Sequence, residues 1–188
     1  LQWETRQWTA EFEKLAAESA GVLLFVHPRT IVEPVKIDAT VDVLSAVLGE
    51  TSPIGQQSSG QTPIEPWSPA HTPSQVKLVE ILQFLLARPF RDRPLPLAVV
   101  VSAWDLLPKT QRPNEWLRER LPLLDQFLEA NAEAVPVAVF GISAQGADLS
   151  KAVELQQHIE ASDRIIVTTP DGSTTHDITA PVKWLLER

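Results

Sequence analysis

The sequence predicts an α/β fold, a three-layer sandwich on a mostly parallel sheet, and three observations carry that prediction. Three short runs, Gly21 to Val26, Leu95 to Val101 and Val135 to Phe140, are almost continuously apolar and rich in β-branched residues, as strands covered on both faces are. Amphipathic helical patterns stand between and around them, which is the alternation that builds a parallel sheet. The length, 188 residues of which 44% are hydrophobic, suits one core of two or three layers and is short for two domains.

Residues 3–19 place Trp8, Phe12, Leu15 and Ala16 at helical spacing opposite a charged face, and Gly21 ends that helix. The run from Gly21 to His27 reads as a strand buried on both faces and closed by Pro28. Composition then changes. Residues 35–48 place Val41, Leu44, Ser45 and Leu48 on one helical face and predict a short helix. Residues 49–73 hold Pro53, Pro63, Pro66, Pro69 and Pro73 among Ser, Thr, Gln and Gly, too little apolar surface to offset chain entropy. The whole of 29–73 therefore reads as an irregular insertion, with Trp67 as its candidate anchor.

Thr72-Pro73-Ser74 supplies capping chemistry for a helix that ends before Pro89 and is expected to bury Val76, Val79, Leu82, Phe84 and Leu86. The second strand ends in the polar tip Ser102-Ala103-Trp104-Asp105. A helix over about 114–131 follows, with Pro122 a distortion near its middle. The third strand runs into Gly141-Ile142-Ser143-Ala144-Gln145-Gly146. Pro170-Asp171-Gly172 lies between two β-prone stretches and predicts a small hairpin insertion over 163–178. The last helix carries Pro181 in its first turn, and Trp184 on it and Trp116 on the helix before fit core anchors.

Several function classes are excluded early. Net charge is −8, from 16 Lys and Arg against 24 Asp and Glu, with no basic cluster to offset it, so nucleic acid is not an expected partner. The absence of Cys removes disulfides, thiolate metal sites and a Cys nucleophile. His27, His71, His158 and His176 lack the spacing of a metal motif, and no metal ligand is assigned. No apolar run approaches the roughly 20 residues that span a bilayer, and no leader-like start is present, so the expectation is a soluble, cytoplasmic protein. A chain that begins at Leu1 within a helical pattern and contains no Met is expected to be a piece of a longer one, a single partial domain over 1–188.

Ligands of parallel sheets bind outside the carboxyl ends of the strands, which singles out His27-Pro28, Ser102 to Asp105 and Ser143 to Gly146. A carboxylate such as Asp105 can accept two parallel hydrogen bonds from a planar N–H/NH₂ edge, which guanine presents and adenine does not. The backbone N–H groups of Ser143, Ala144 and Gln145 suit a carbonyl such as guanine O6. Local alternatives stand beside each role. Asp105 could cap the turn that follows its strand, Ser143 to Gly146 has ordinary tight-turn chemistry, and His27 receives no role.

Ser102-Ala103-Trp104-Asp105, then a helix, then a strand ending in Ser143-Ala144-Gln145, then a final helix, resembles the second half of the Ras-like GTPase domain of the TRAFAC class, whose strands end in Asn/Thr-Lys-x-Asp and Ser-Ala-Lys. More narrowly, VFGISAQG (139–146) and ITAPVKWLLER (178–188), with Pro181, Trp184, Leu185 and Leu186, resemble the bacterial double-GTPase-like proteins. The resemblance covers roughly 1–28 and 74–188. It implies a Ras-like P-loop architecture, GTP or GDP and Mg²⁺ as ligands, Ser102, Trp104, Asp105, Ser143, Ala144 and Gln145 around the base, and a second GTPase or an effector protein as partner in a bacterial signalling or conflict system.

The departures matter. Ser102 and Ala103 replace the family's Asn/Thr and Lys, and Gln145 replaces its last Lys. No GxxxxGK followed by Ser or Thr occurs in the chain, and no DxxG precedes the first strand, so the machinery that holds phosphates and Mg²⁺ is missing and no catalytic residue is assigned. GTP hydrolysis is expected only if a phosphate loop lies upstream of Leu1. The alternative is a nucleotide-free scaffold of GTPase descent that docks partners through 29–73 or 163–178, with Trp67 or Trp104 as an exposed anchor. A more remote one is an α/β hydrolase drawing on Asp105, Ser143 and His176, whose Gly141 to Gly146 segment has one residue too many for a nucleophile elbow.

Overall fold

A computed structural model of the chain describes residues 8–34, 68–87, 92–108, 110–145 and 161–188. The expected helix over 35–48, the anchor Trp67 and Gly146 lie outside the described residues.

Thr9 opens the first helix by accepting the Phe12 N–H on its hydroxyl (3.2 Å), and α1 runs Ala10–Glu18. Its apolar stripe is not buried as expected, for Leu15 is 61% exposed. The aromatic side chains make the contact instead. The Trp8 ring stacks on Phe84 with centroids 3.9 Å apart and lies 4.5 Å from Phe12.

β1 (Val22–Val26), β2 (Leu97–Ser102) and β3 (Val137–Ser143) pair in parallel in that order. The expected hairpin forms as β4 (Ile166–Thr168) and β5 (Thr174–Thr175), but β4 pairs antiparallel with β3 and so extends the sheet. Among the described residues the result is one five-stranded mixed sheet of order β1-β2-β3-β4-β5, rather than a mostly parallel sheet with a separate insertion. Asp171 fixes the hairpin turn. Its carboxylate accepts the Thr169 hydroxyl and both the N–H (3.0 Å) and hydroxyl (2.9 Å) of Ser173.

The alternation of β2 divides the core between the two faces. Leu97, Val99 and Val101 pack with Val79 and Leu82 of α2 (Ser74–Leu86), Trp116 and Leu117 of α3 (Pro113–Arg120), and Leu124 and Leu128 of α4 (Pro122–Ala130). Ala98 and Val100 face the other way, with Phe140, Val167 and Leu185 of α6 (Ala180–Leu186); the short α5 (Ala161–Arg164) precedes β4.

Three expectations need correction. The helix expected over 114–131 is two helices. The pyrrolidine of Pro122 pushes Leu121 out of the helical region, to φ −133° and ψ 55°, and α4 restarts at the proline. On α2 Val76 is 38% exposed, while Gln75 is buried, with its Oε1 accepting the Leu123 N–H at 2.8 Å. That bond satisfies an orphan donor in the first turn of α4. Finally, β1 pairs only with β2 among the described residues, and Leu23 is 36% and Phe25 66% exposed, where its continuous apolar sequence predicts burial on both faces.

Candidate functional site

Parallel pairing brings the carboxyl ends of β1, β2 and β3 to one edge of the sheet, with Val26 opposite Val101 and Ser102 opposite Ile142. The Ser102 hydroxyl donates to the Val26 carbonyl (3.2 Å) and ties the first tip to the second. The chain then turns sharply. Ala103 takes the left-handed conformation (φ 52°, ψ 44°), a strain of roughly 1–2 kcal/mol for a residue with a Cβ. A single 3₁₀ turn, Trp104–Leu106, follows, closed by Leu106 N–H to Ala103 O and Leu107 N–H to Trp104 O, both 3.1 Å.

Trp104 holds this turn down. Its indole is 7% exposed, belongs to the core cluster of the α2–α4 face, and lies across Gly141 of β3 at a distance only a residue without a Cβ permits. Trp104 is therefore no exposed anchor for a partner, and its burial supplies the apolar contact that offsets the strain at Ala103. Asp105, next on the same turn, is exposed. On β3 the side chain of Ser143 is 1% exposed, and Ala144 and Gln145 beyond it are exposed.

The tips of β2 and β3 thus expose Asp105, Ala144 and Gln145, while Trp104 and the Ser143 side chain are buried. Below them opens a groove of about 240 Å³ whose upper wall is Ser102, Ala103 and Ala144 and whose floor is Val100 and Ile142. A second groove of about 320 Å³ lies on the other side of the tips, between Pro28, Arg29, Gln111 and Arg120, with Arg120 paired to Glu33 at 2.6 Å. The sequence reading missed both Gly141 as the seat of Trp104 and this mixed groove, which Leu106, Leu107 and Trp116 also line. A glycine inside a strand was the available signal for the first; nothing local marks the second, because its residues are far apart in sequence.

The Arg29 N–H donates to His27 Nδ1 at 3.2 Å, which is a turn contact. His176 holds its Nδ1 2.6 Å from the Ile165 carbonyl, and with Ser143 buried this arrangement lacks the presented hydroxyl of a hydrolase elbow. At the start of α6, Asp177 accepts Lys183 Nζ (2.6 Å) and the hydroxyl (2.5 Å) and N–H (2.9 Å) of Thr179, and these contacts, the Lys183 ammonium foremost, lower its pKa to about 2. Among the described residues no three His, Asp or Glu side chains converge on a metal site, and no helix is long and apolar enough to cross a membrane.

Asp105 is an exposed carboxylate at one strand tip and Ala144 and Gln145 are exposed at the next, whereas nothing at the described tips offers the Lys and glycine-rich loop that phosphates and Mg²⁺ require. No curated protein and no solved structure matches the chain. The model of one protein family, described as Double-GTPase 1, matches residues 1–185. With nearly every residue matched, the chain belongs to the Double-GTPase 1 family.

Proposed function

We propose that this domain recognises the base of a guanine nucleotide, as the second half of a Ras-like, TRAFAC-class fold. The observation that carries the reading is Asp105, an exposed carboxylate on a turn held by the burial of Trp104, at the edge where the tips of β2 and β3 meet. In this reading Asp105 accepts the N1–H and N2 amine of guanine. The N–H groups after Ser143 meet O6, while Ala144, Gln145 and the Ser102–Ala103 wall flank the ring. GTP or GDP with Mg²⁺ would be the ligand, its phosphates met by residues other than these tips, and the cellular setting would be bacterial signalling or conflict with a second GTPase or an effector as partner.

Calorimetric titration with Mg·GDP and Mg·ADP, on this chain and on any longer natural form, tests it. Binding selective for guanine is the expected result, and failure of both forms to bind either nucleotide overturns it. The missing GxxxxGK motif favours a second reading, a GTPase-derived scaffold that binds no nucleotide, and that failure is its expected result.

A further inference from the structure

The second groove, of about 320 Å³, is walled by three segments that meet beyond the tips of β1 and β2. The turn after β1 supplies Arg29, whose N–H meets His27 Nδ1 while the Thr30 N–H meets the His27 carbonyl (3.1 Å). Leu106 and Leu107, leaving the 3₁₀ turn half-buried, join Trp116 of α3 as the apolar part of the lining. Gln111, just before α3, and Arg120, at its end, complete it. Among the described residues this lining holds two guanidinium groups and no carboxylate, on a chain whose net charge is −8. Arg29 is exposed, and no ion pair or side-chain hydrogen bond to a described residue holds its guanidinium. Arg120 gives Nη2 to Glu33 at 2.6 Å, but that pair is about half exposed on both sides. A guanidinium has five N–H donors, so most of those on Arg120 remain for a ligand.

We propose that this groove docks an acidic segment of a partner protein, with carboxylates on Arg29 and Arg120 and one bulky apolar side chain on Leu106, Leu107 and Trp116. Charge complementarity selects the acid: guanidinium groups pair with carboxylates through parallel N–H donors, which is how arginine clusters read acidic motifs. The leucines and the tryptophan select the apolar residue, because a fully hydrated anion gains nothing from them. A segment of a protein suits the site better than a small molecule. With both arginines exposed, a ligand here is covered on one side, whereas small ligands are held by burying most of their surface. A larger partner adds contacts outside the groove. The net charge of the chain disfavours any acidic ligand, so preference for one at this place has to come from Arg29 and Arg120 themselves.

Selection from a random heptapeptide library on the immobilised full chain tests this. Non-specific attraction to a chain of charge −8 enriches basic peptides, so the expected consensus, a large apolar residue flanked by Asp or Glu, stands out against the background. The selected peptide is then titrated calorimetrically against the chain. Arg29→Glu and, independently, Arg120→Glu should each weaken binding at least about tenfold. Arg188→Glu reverses an exposed charge that lies against Trp184 and outside the groove, and should change the affinity by less than about twofold. Binding should weaken as salt rises from about 0.05 to 0.5 M, the reverse of a purely apolar contact. Arg29 and Arg120 are exposed, so circular dichroism and the thermal midpoint of both variants should hold. Nucleotide is absent throughout, which keeps the outcome separate from that of the base site. A selection without an acid-flanked consensus overturns the proposal, and so does a peptide whose affinity survives either groove substitution or does not fall with salt.

Discussion

The indole of Trp104 and the bare Cα of Gly141 are in contact: a methyl built at Gly141 would stand 2.6 Å from both Cγ and Cε2 of the ring. This contact links the second strand tip to the third strand, and the turn bearing Asp105 depends on it. Gly141→Ala should therefore destabilise the domain by about 1–3 kcal/mol through overpacking. It should also displace Trp104–Leu106. Urea unfolding measures the first effect and the fluorescence maximum of a protein whose other tryptophans are replaced by Phe measures the second. Unchanged stability would mean that the ring yields freely and that the turn is not held as described.

Asp105 itself should be dispensable for folding, because it is exposed and its carboxylate has no described hydrogen-bond partner. Asp105→Asn is expected to leave the unfolding free energy within about 0.5 kcal/mol. If the carboxylate reads guanine, the same substitution should weaken GDP roughly ten- to a hundredfold, the worth of a bidentate base contact, and shift preference toward XDP. Paired calorimetric titrations decide it. Equal binding of GDP and XDP by both proteins would remove Asp105 from the base site.

Much of this was legible in the sequence, and the failures have physical causes. The strands of β2 and β3 were evident because both faces of each are covered, so their runs are apolar without interruption. At β1 the same pattern goes with side chains left partly exposed among the described residues, Leu23 and Phe25, since composition reports that a strand is suited to burial and not what covers it. Pro122 was visible, but whether a proline kinks a helix or ends it depends on the φ and ψ open to Leu121, which packing decides. Trp104 was grouped with the base-contacting residues because adjacency in sequence hides direction, and the side chains of neighbours on a tight turn point apart. Its partner Gly141 sits a long way down the chain, so only the fold brings the two together.

Val32 and Ser74 clasp each other although 41 residues lie between them in the chain. Val32 N–H donates to the Ser74 hydroxyl and Ser74 N–H to the Val32 carbonyl, both at 2.9 Å. The chain therefore leaves the body and returns to it at nearly one point. Ser74→Ala removes one bond of the pair and should cost about 1 kcal/mol. Replacing residues 35–67 with a short Gly/Ser linker should preserve the fold, because loop-closure entropy changes by only about 1 kcal/mol over such a difference in length. Thermal unfolding of both variants checks this, and loss of the cooperative transition in the linker variant would assign residues 35–67 a structural role.

Acid should loosen α6 through Asp177. Its pKa is lowered from 3.8 to about 2 by the Lys183 ammonium and the hydroxyl and N–H of Thr179. A carboxyl whose pKa is depressed in the folded state stabilises that state above its unfolded pKa, and the contribution fades as pH falls from about 4 through 2. Asp177→Asn keeps the shape but loses the charge that holds Lys183. The variant should melt below the wild type at neutral pH, and the two midpoints should converge as the pH approaches about 2. Asp171 also sits at about 2, held there chiefly by the Thr169 hydroxyl and then by Ser173, so the wild-type curve alone mixes the two groups. The difference between the two proteins isolates Asp177, because Asp171 is common to both. A midpoint difference that stays constant across the acid range would show that the charge on Asp177 contributes nothing to holding the start of α6.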